Sequence, residues 1–312
     1  MRIVIQRPDL DTCLAGAILG VQDGDPVIFR AEGATAAELA DPAVICLEAG
    51  GSGQVEFGNF DHHDPGLDLP PAATQAYVSA GRPLIYIRLV EYNEMIDLCL
   101  PSPLRPPFPS VSSLISGIRF VHEADPVRQF REGVRALRHI AQAGFDPFDP
   151  LPFVAEWAPY LEEKSRRLSE LMQSPPAAEM VNSGGTKIAF SATTLVGAVG
   201  ALYRQGVDVA VVARPLDPAG AWKYTIAGRQ LKVSHLLGAL NRLEPGWGGP
   251  AHGTIIGSPV KGSRLPMDAV RAIVLSGFTD TAAGERNDDS EPEKLDRPAD
   301  QVERKHDLVQ RG

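Results

Sequence analysis

The chain has 312 residues, 44% hydrophobic and 22% charged, an ordinary composition for a globular protein long enough to bury two cores. Lys and Arg number 30 against 39 Asp and Glu, and the formal charge of −9 argues against a long nucleic acid or an anionic membrane as partner, leaving room for a localised basic pocket. Cys13, Cys46 and Cys99 are scattered and give no sign of a disulfide framework or a Cys-based zinc site. No stretch approaches the ~20 apolar residues of a membrane span and no signal peptide is expected behind Met1, so a cytoplasmic location is expected.

In chain order, Arg2 to Gln6 reads as a strand, Asp11 to Gly20 as a helix, Val27 to Arg30 as a strand, Thr35 to Ala40 as a short helix, and Ala43 to Leu47 as a strand. Val55 to Phe60 is expected to be a fourth strand, delivering Asp61-His62-His63 to its carboxyl end, where ligand sites sit in open α/β sheets. Thr74 to Ala80 and Leu84 to Leu98 look helical, and Pro101, Pro103, Pro106, Pro107 and Pro109 then demand a loop. Helical spacing returns over Arg128 to Ala143 and Trp157 to Met172. Beyond Pro176, strands are expected at Lys187 to Ala192, Val207 to Ala213 and Trp222 to Ala227, with helices at Ala198 to Arg204 and Val233 to Leu243. The fold class is therefore α/β: an N-terminal, mostly parallel sheet with helices on both faces (1–110), a helical connector (111–180) and a smaller C-terminal α/β domain (181–280). Residues 285 to 312 hold nine acids, six bases and no aromatic residue, so a disordered tail is expected over 281–312.

Asp61-His62-His63 is the strongest local signal. Three metal-ligating side chains in a row cannot be packed without a compensating partner, and a divalent cation is the usual one. Asp9 and Asp11 follow the first strand, and on extended backbone side chains two apart would face one site; a turn in which either caps the next helix is the alternative. Asp97 lies near the end of a helical segment, where negative charge opposes the helix dipole; that hints at an external partner, an exposed acid being the commoner explanation. Late in the chain Gly248, Gly249 and His252 form a glycine-rich loop able to bring backbone N–H groups to an anion. His122, His139 and His235 have no spaced partner and read as packing residues; Cys13 reads as a small apolar residue opening a buried helix. Ser183-Gly184-Gly185-Thr186 reads as a joint between a helix and a strand. Trp157, Trp222 and Trp247 are too far apart in sequence to form a stacking platform.

In this order the motifs resemble the DHH phosphoesterases with their DHHA1 domain, a group that includes exopolyphosphatase-like proteins, RecJ-like exonucleases and oligoribonucleases. The resemblance runs over residues 1 to 275. It implies metal ligation by Asp9, Asp11, Asp61, His62 and Asp97, with catalytic roles for Asp11, Asp61 and His63, the last reaching the substrate phosphate. It implies substrate binding by Arg229, His252, Gly248 and Gly249 from the second domain. The cofactor it implies is Mn²⁺, one or two ions, with Mg²⁺ as an alternative. The substrate would be small and phosphorylated: polyphosphate, a nucleotide or a short oligonucleotide. The reaction is hydrolysis of a phosphoester, and a homodimer is left open.

The chain departs from the family in three places. Ile5 stands where the family has a histidine ligand, Glu48 is the nearest candidate for its bridging aspartate, and Pro250-Ala251 separate the glycines from His252. Ligands lost from a two-metal site weaken metal binding, so a catalytically degenerate protein that binds a nucleotide or phosphate is the alternative reading.

Overall fold

The computed structural model describes residues 1–64, 67–98, 108–216, 220–249, 253–259 and 261–279. The proline run from 101 to 107, His252 and the expected tail lie outside these residues. Strand β1 (Arg2–Ile5) carries Ile3, Val4 and Ile5, all fully buried, because the strand is central in a sheet covered on both faces. It is followed by α1 (Leu10–Ile18), buried along its whole length and capped by Asp9, whose carboxylate accepts from Thr12 N at 3.1 Å. β2 (Val27–Phe29), α2 (Ala36–Leu39), β3 (Val44–Leu47) and β4 (Asn59–Phe60) complete a parallel sheet of order β2-β1-β3-β4.

Two expectations change here. Asp9 and Asp11 do not share one extended run: Asp9, itself extended, is the cap of α1, the alternative reading, and Asp11 lies in the first turn of the helix. Val55 to Phe60 is not one strand either. Val55–Phe57 forms a 3-10 turn and Gly58 takes φ 80°, a left-handed conformation that reverses the chain and leaves only Asn59 and Phe60 to pair with β3.

The helices α3 (Ala72–Ser79), α4 (Ile87–Asp97), α5 (Val111–Val121), α6 (Pro126–Ala143) and α7 (Ala158–Gln173) follow. Their apolar faces join Ile3, Ile5, Leu14 and Leu47 in one core that extends to Trp157. Val4, Val44 and Cys46 form a thin second layer under α2. Helices α1 and α6 cross through reciprocal glycines: a Cβ on Gly16 would lie 2.6 Å from Phe130, and one on Gly133 would lie 2.5 Å from Cys13 Sγ. At the crossing of α5 and α7, a Cβ on Gly117 would overlap the Tyr160 carbonyl.

The second sheet runs β5 (Glu179–Ser183), β6 (Thr186–Ala192), β7 (Val209–Pro215), β8 (Trp222–Gly228) and β9 (Ile255–Gly257) in that spatial order. Only β6 and β7 are parallel. Helix α8 (Ala198–Arg204) packs Leu202 on Ala189 and Ala210 on one face. The other face carries a core of Ile188, Val209, Val211, Tyr224 and Ile226, joined by residues of α9 (Leu237–Leu243) and α10 (Met267–Thr279). Strands β5 and β9 and helix α10 were not expected from the sequence. Ser183 to Thr186 joins two strands and not a helix to a strand, since Gly184 and Gly185, both at positive φ, make a two-residue hairpin turn. Trp222 and Trp247, distant in sequence, both lie against Tyr224, with ring centroids at 6.5 and 5.7 Å, and Trp247 is buried there. No helix among the described residues is long and apolar enough to cross a membrane.

Candidate metal centre

The site gathers where β3 and β4 end and α1 and α4 meet them. Just past β3, Glu48 adopts φ 48°, a left-handed conformation that costs a side-chain-bearing residue of the order of 1 kcal/mol or more and persists where the surroundings enforce it. The kink leaves its carboxylate 3% exposed. Thr12 Oγ1 donates to Glu48 Oε2 at 3.1 Å, which leaves Oε1 without a donor. His62, just beyond β4, places Nε2 3.2 Å from Glu48 Oε1, 3.4 Å from Asp97 Oδ2 and 4.0 Å from Asp11 Oδ2. Glu48 Oε1, His62 Nε2 and Asp97 Oδ2 are all buried, and none has a hydrogen-bond partner among the described residues. Each such atom costs free energy unless something fills the space between them. Glu48, His62 and His63, and likewise Asp11, His62 and Asp97, each offer ligand atoms within 4.8 Å of one another, and a cation fits this donor set.

Asp11 also holds the start of α3 from 61 residues away. Its Oδ2 accepts from Ala72 N at 2.7 Å, and its Oδ1 accepts from Ala73 N at 2.9 Å and from Asn93 Nδ2 at 2.6 Å. Asp61 is saturated as well: Gly50 N donates at 2.7 Å, Ser52 Oγ at 2.9 Å and His63 N at 2.7 Å. Its carbonyl accepts from Gln75 Nε2. The geometry thus brings Asp11, Glu48, His62, His63 and Asp97 together. Asp9, turned to its capping bond, and Asp61, committed to its donors, stand beside them outside both ligand groups. Ile5, at the family's histidine position, is fully buried in the first core.

Burial, followed by the charge of Asp97, pushes the Asp11 carboxyl up to about 7 despite the Ala72 and Ala73 amides. Burial and then Asp9 push Asp97 up to about 6, and burial with Asp9, Asp11 and Asp97 drives Glu48 well above the carboxylate range. Burial lowers His62, with help from the charge of His63, so its imidazole is neutral and free to ligate. His63 moves the other way: Asp61 holds its ring and raises its pKa against burial. Burial opposes ionisation of Asp61, but the bonds from His63 and Gly50 overcome it and keep the carboxyl low. His63 is 51% exposed, with Nδ1 lying 3.4 Å from Asp61 Oδ1 and 3.5 Å from Glu48 Oε1.

In the second sheet, Arg229 directs Nη1 at the Tyr203 carbonyl, 3.3 Å away beside the end of α8, and its backbone N–H donates to Asp208. Gly248 pairs with Gly257 through two backbone hydrogen bonds, and Gly249 lies tight against Ile255 and Ile256. Neither glycine has its N–H or Cα facing the five-residue cluster in any contact among the described residues. His122, His139 and His235 pack on Tyr160, Trp157 and Phe278. Cys13 is fully buried and burial pushes its thiol up. Thr12, Ser52, Gln75 and Asn93, which orient the cluster, were not singled out from the sequence. Thr12 alone had a visible signal, a hydroxyl directly after Asp11.

No family model matches the sequence, and no curated protein matches it. Among solved structures, the chain is similar to PggH, a pGpG-specific phosphodiesterase from Vibrio cholerae, with a TM-score of 0.52 and 14% identity over 89% of this chain and 99% of that one. An uncharacterized protein from Helicobacter pylori G27 follows at TM-score 0.32 and 11% identity, covering 90% of this chain and 99% of its own. A Methanococcus jannaschii protein assigned as a family II inorganic pyrophosphatase stands at TM-score 0.23 and 14% identity, covering 91% of this chain and all of its own. The likeness to the Vibrio protein establishes the fold, a parallel-sheet domain joined to a second, smaller sheet domain, as the DHH resemblance implied.

Proposed function

We propose that the protein is a metal-dependent phosphoesterase acting on a small phosphorylated substrate. The observation that carries this reading is the set of three buried atoms, Glu48 Oε1, His62 Nε2 and Asp97 Oδ2, that face one another without a hydrogen-bond partner among the described residues. With Asp11 Oδ2 they would hold one divalent cation, and three carboxylates with one imidazole suit Mn²⁺ or Mg²⁺. The chemistry such a cation would supply is a water of lowered pKa and a charge set against the phosphoryl oxygens.

The chain's own groups supply the rest. Asp61 fixes the ring of His63 through Nδ1 and raises its pKa, so Nε2 is the nitrogen left to meet a substrate oxygen. Thr12 directs Glu48, and Asn93 with the α3 amides directs Asp11. Since PggH is specific for pGpG, a short 5′-phosphorylated oligonucleotide leads the substrates to be tried.

The test is nucleotide and phosphate release from pGpG, pyrophosphate, short polyphosphate and adenosine 3′,5′-bisphosphate with added Mn²⁺, alongside calorimetric Mn²⁺ binding. The expectation is Mn²⁺ binding that His62→Ala abolishes, with turnover lost in the same variant. Mn²⁺ bound by the wild type without turnover of any member would favour the degenerate, phosphate-binding reading.

A further inference from the structure

Two groups of potential ligands occupy the metal centre, Glu48 with His62 and His63, and Asp11 with His62 and Asp97. As two groups they suggest two ions. Both depend on His62, however, and each close approach of its ring to these carboxylates is made by one atom, Nε2: 3.2 Å to Glu48 Oε1, 3.4 Å to Asp97 Oδ2 and 4.0 Å to Asp11 Oδ2. An imidazole nitrogen has a single lone pair in the ring plane, so it cannot bridge two ions as a carboxylate can. Whichever group takes His62 leaves the other with two donors, Asp11 and Asp97 or Glu48 and His63.

The groups nearby do not make up the difference. His63 Nδ1, the nitrogen near Glu48, lies 3.4 Å from Asp61 Oδ1, which holds the ring. Asp61 itself accepts from Gly50, Ser52 and the His63 amide, and Asp9, which stands in neither ligand group, accepts from Thr12 N as the cap of α1. Strand β1 adds no donor, since Ile5, paired with Leu47 just before Glu48, is apolar and fully buried. What remains is Glu48 Oε1, His62 Nε2 and Asp97 Oδ2, without a partner among the described residues, and Asp11 Oδ2, which accepts from the Ala72 amide. Ligands ~2.1 Å from one octahedral ion lie ~3.0 Å apart when adjacent and ~4.2 Å apart when opposite. The separations of 3.2 and 3.4 Å are those of neighbours around one ion, and 4.0 Å is close to that of an opposed pair. A second ion would have to draw Asp9 from its helix cap or Asp61 from its donors, leaving those donors without their acceptor.

We propose that the centre is mononuclear: one divalent cation held by His62 Nε2, Glu48, Asp97 and Asp11, with no second ion bound beside it. Of the one or two ions that the motifs left open, this assigns one. The proposal rests on the phosphoesterase reading for the use of the ion, while the count is a property of the protein alone. A single ion also gives turnover a one-site dependence on Mn²⁺, where two unequal sites would add a second, weaker phase.

The experiment strips the protein with EDTA, reloads it with excess Mn²⁺, removes loosely held ions by gel filtration in metal-free buffer, and counts manganese per chain by atomic emission. Electron paramagnetic resonance on the same samples separates an isolated Mn²⁺ from a spin-coupled pair. The wild type is expected to hold one Mn²⁺ per chain with an uncoupled signal. Asp9→Asn, which keeps a good helix cap, should also hold one, with a calorimetric Kd within about threefold of the wild type. His62→Ala should hold none, and a thermal melt checks that both variants fold. Two Mn²⁺ per chain, or a coupled signal, in the wild type overturns the single-ion centre and leaves the phosphoesterase reading standing. Loss of the ion in folded Asp9→Asn, or its retention in folded His62→Ala, overturns the placement. No Mn²⁺ on the wild type overturns both the proposal and the metal-dependent reading, whereas one Mn²⁺ without turnover supports the count and defeats the phosphoesterase reading alone.

Discussion

Replacing Glu48 by glutamine should stabilise the metal-free protein and remove its response to metal. The reasoning begins with Asp11, which titrates near 7 in the folded chain against an ordinary 3.8. Between these values the folded state holds a proton that the unfolded state has released, so stability falls as pH rises through the window and the loss is complete above it. Three units at about 1.4 kcal/mol each amount to about 4 kcal/mol. The raised Glu48 and Asp97 carboxyls and the raised His63 act in the same sense, and the lowered His62 opposes them. The lowered carboxyls, Asp61, Glu38, Glu163, Asp23, Asp25 and Asp146, deliver their stabilisation as pH rises to about 5 and leave the range above it to the cluster. Urea unfolding of EDTA-treated protein should therefore show less stability at about pH 8 than at about pH 5. Saturating Mn²⁺ should offset the loss, adding about 3 kcal/mol at a hundredfold excess over Kd. Glu48→Gln keeps an oxygen for Thr12 and removes a carboxyl whose ionisation burial opposes, so in EDTA near pH 8 it should exceed the wild type by about 1–3 kcal/mol. Its stability should not rise with Mn²⁺. Equal stability of the metal-free wild type at both pH values, or a Glu48→Gln protein weaker than wild type in EDTA near pH 8, would refute the argument.

Thr12→Val removes the hydroxyl that fixes Glu48 and should lower Mn²⁺ affinity about tenfold or more by calorimetry, with Thr12→Ser restoring most of it. Gly117→Ala would drive a methyl group into the Tyr160 carbonyl where α5 crosses α7, and should cost about 1–3 kcal/mol in urea unfolding while leaving Mn²⁺ stoichiometry at the wild-type value.

Periodicity showed most of the first sheet and its helices, because Ile3, Val4 and Ile5 or the apolar stripe of α6 carry their own local signal. It failed at Val55 to Phe60, where alternation resembled a strand but Gly58 turned the chain after one 3-10 turn. Asp61-His62-His63 announced a site because three such side chains cannot pack without compensation. The division of labour among them was hidden, since Asp61 spends its oxygens on Gly50 and Ser52, whose approach depends on the tertiary fold. Asp9 shows the same difficulty, a carboxylate near a site whose one hydrogen bond among the described residues is a helix cap.

The carboxylate of Asp11 belongs at once to the cation cluster and to the first amides of α3, so the ionic state of the cluster and the fraying of that helix are one equilibrium seen from two sides. Hydrogen exchange at the Ala72 and Ala73 amides becomes a gauge of occupancy, slowing when the cluster is charge-balanced and quickening when it is bare, with no label attached near the chemistry.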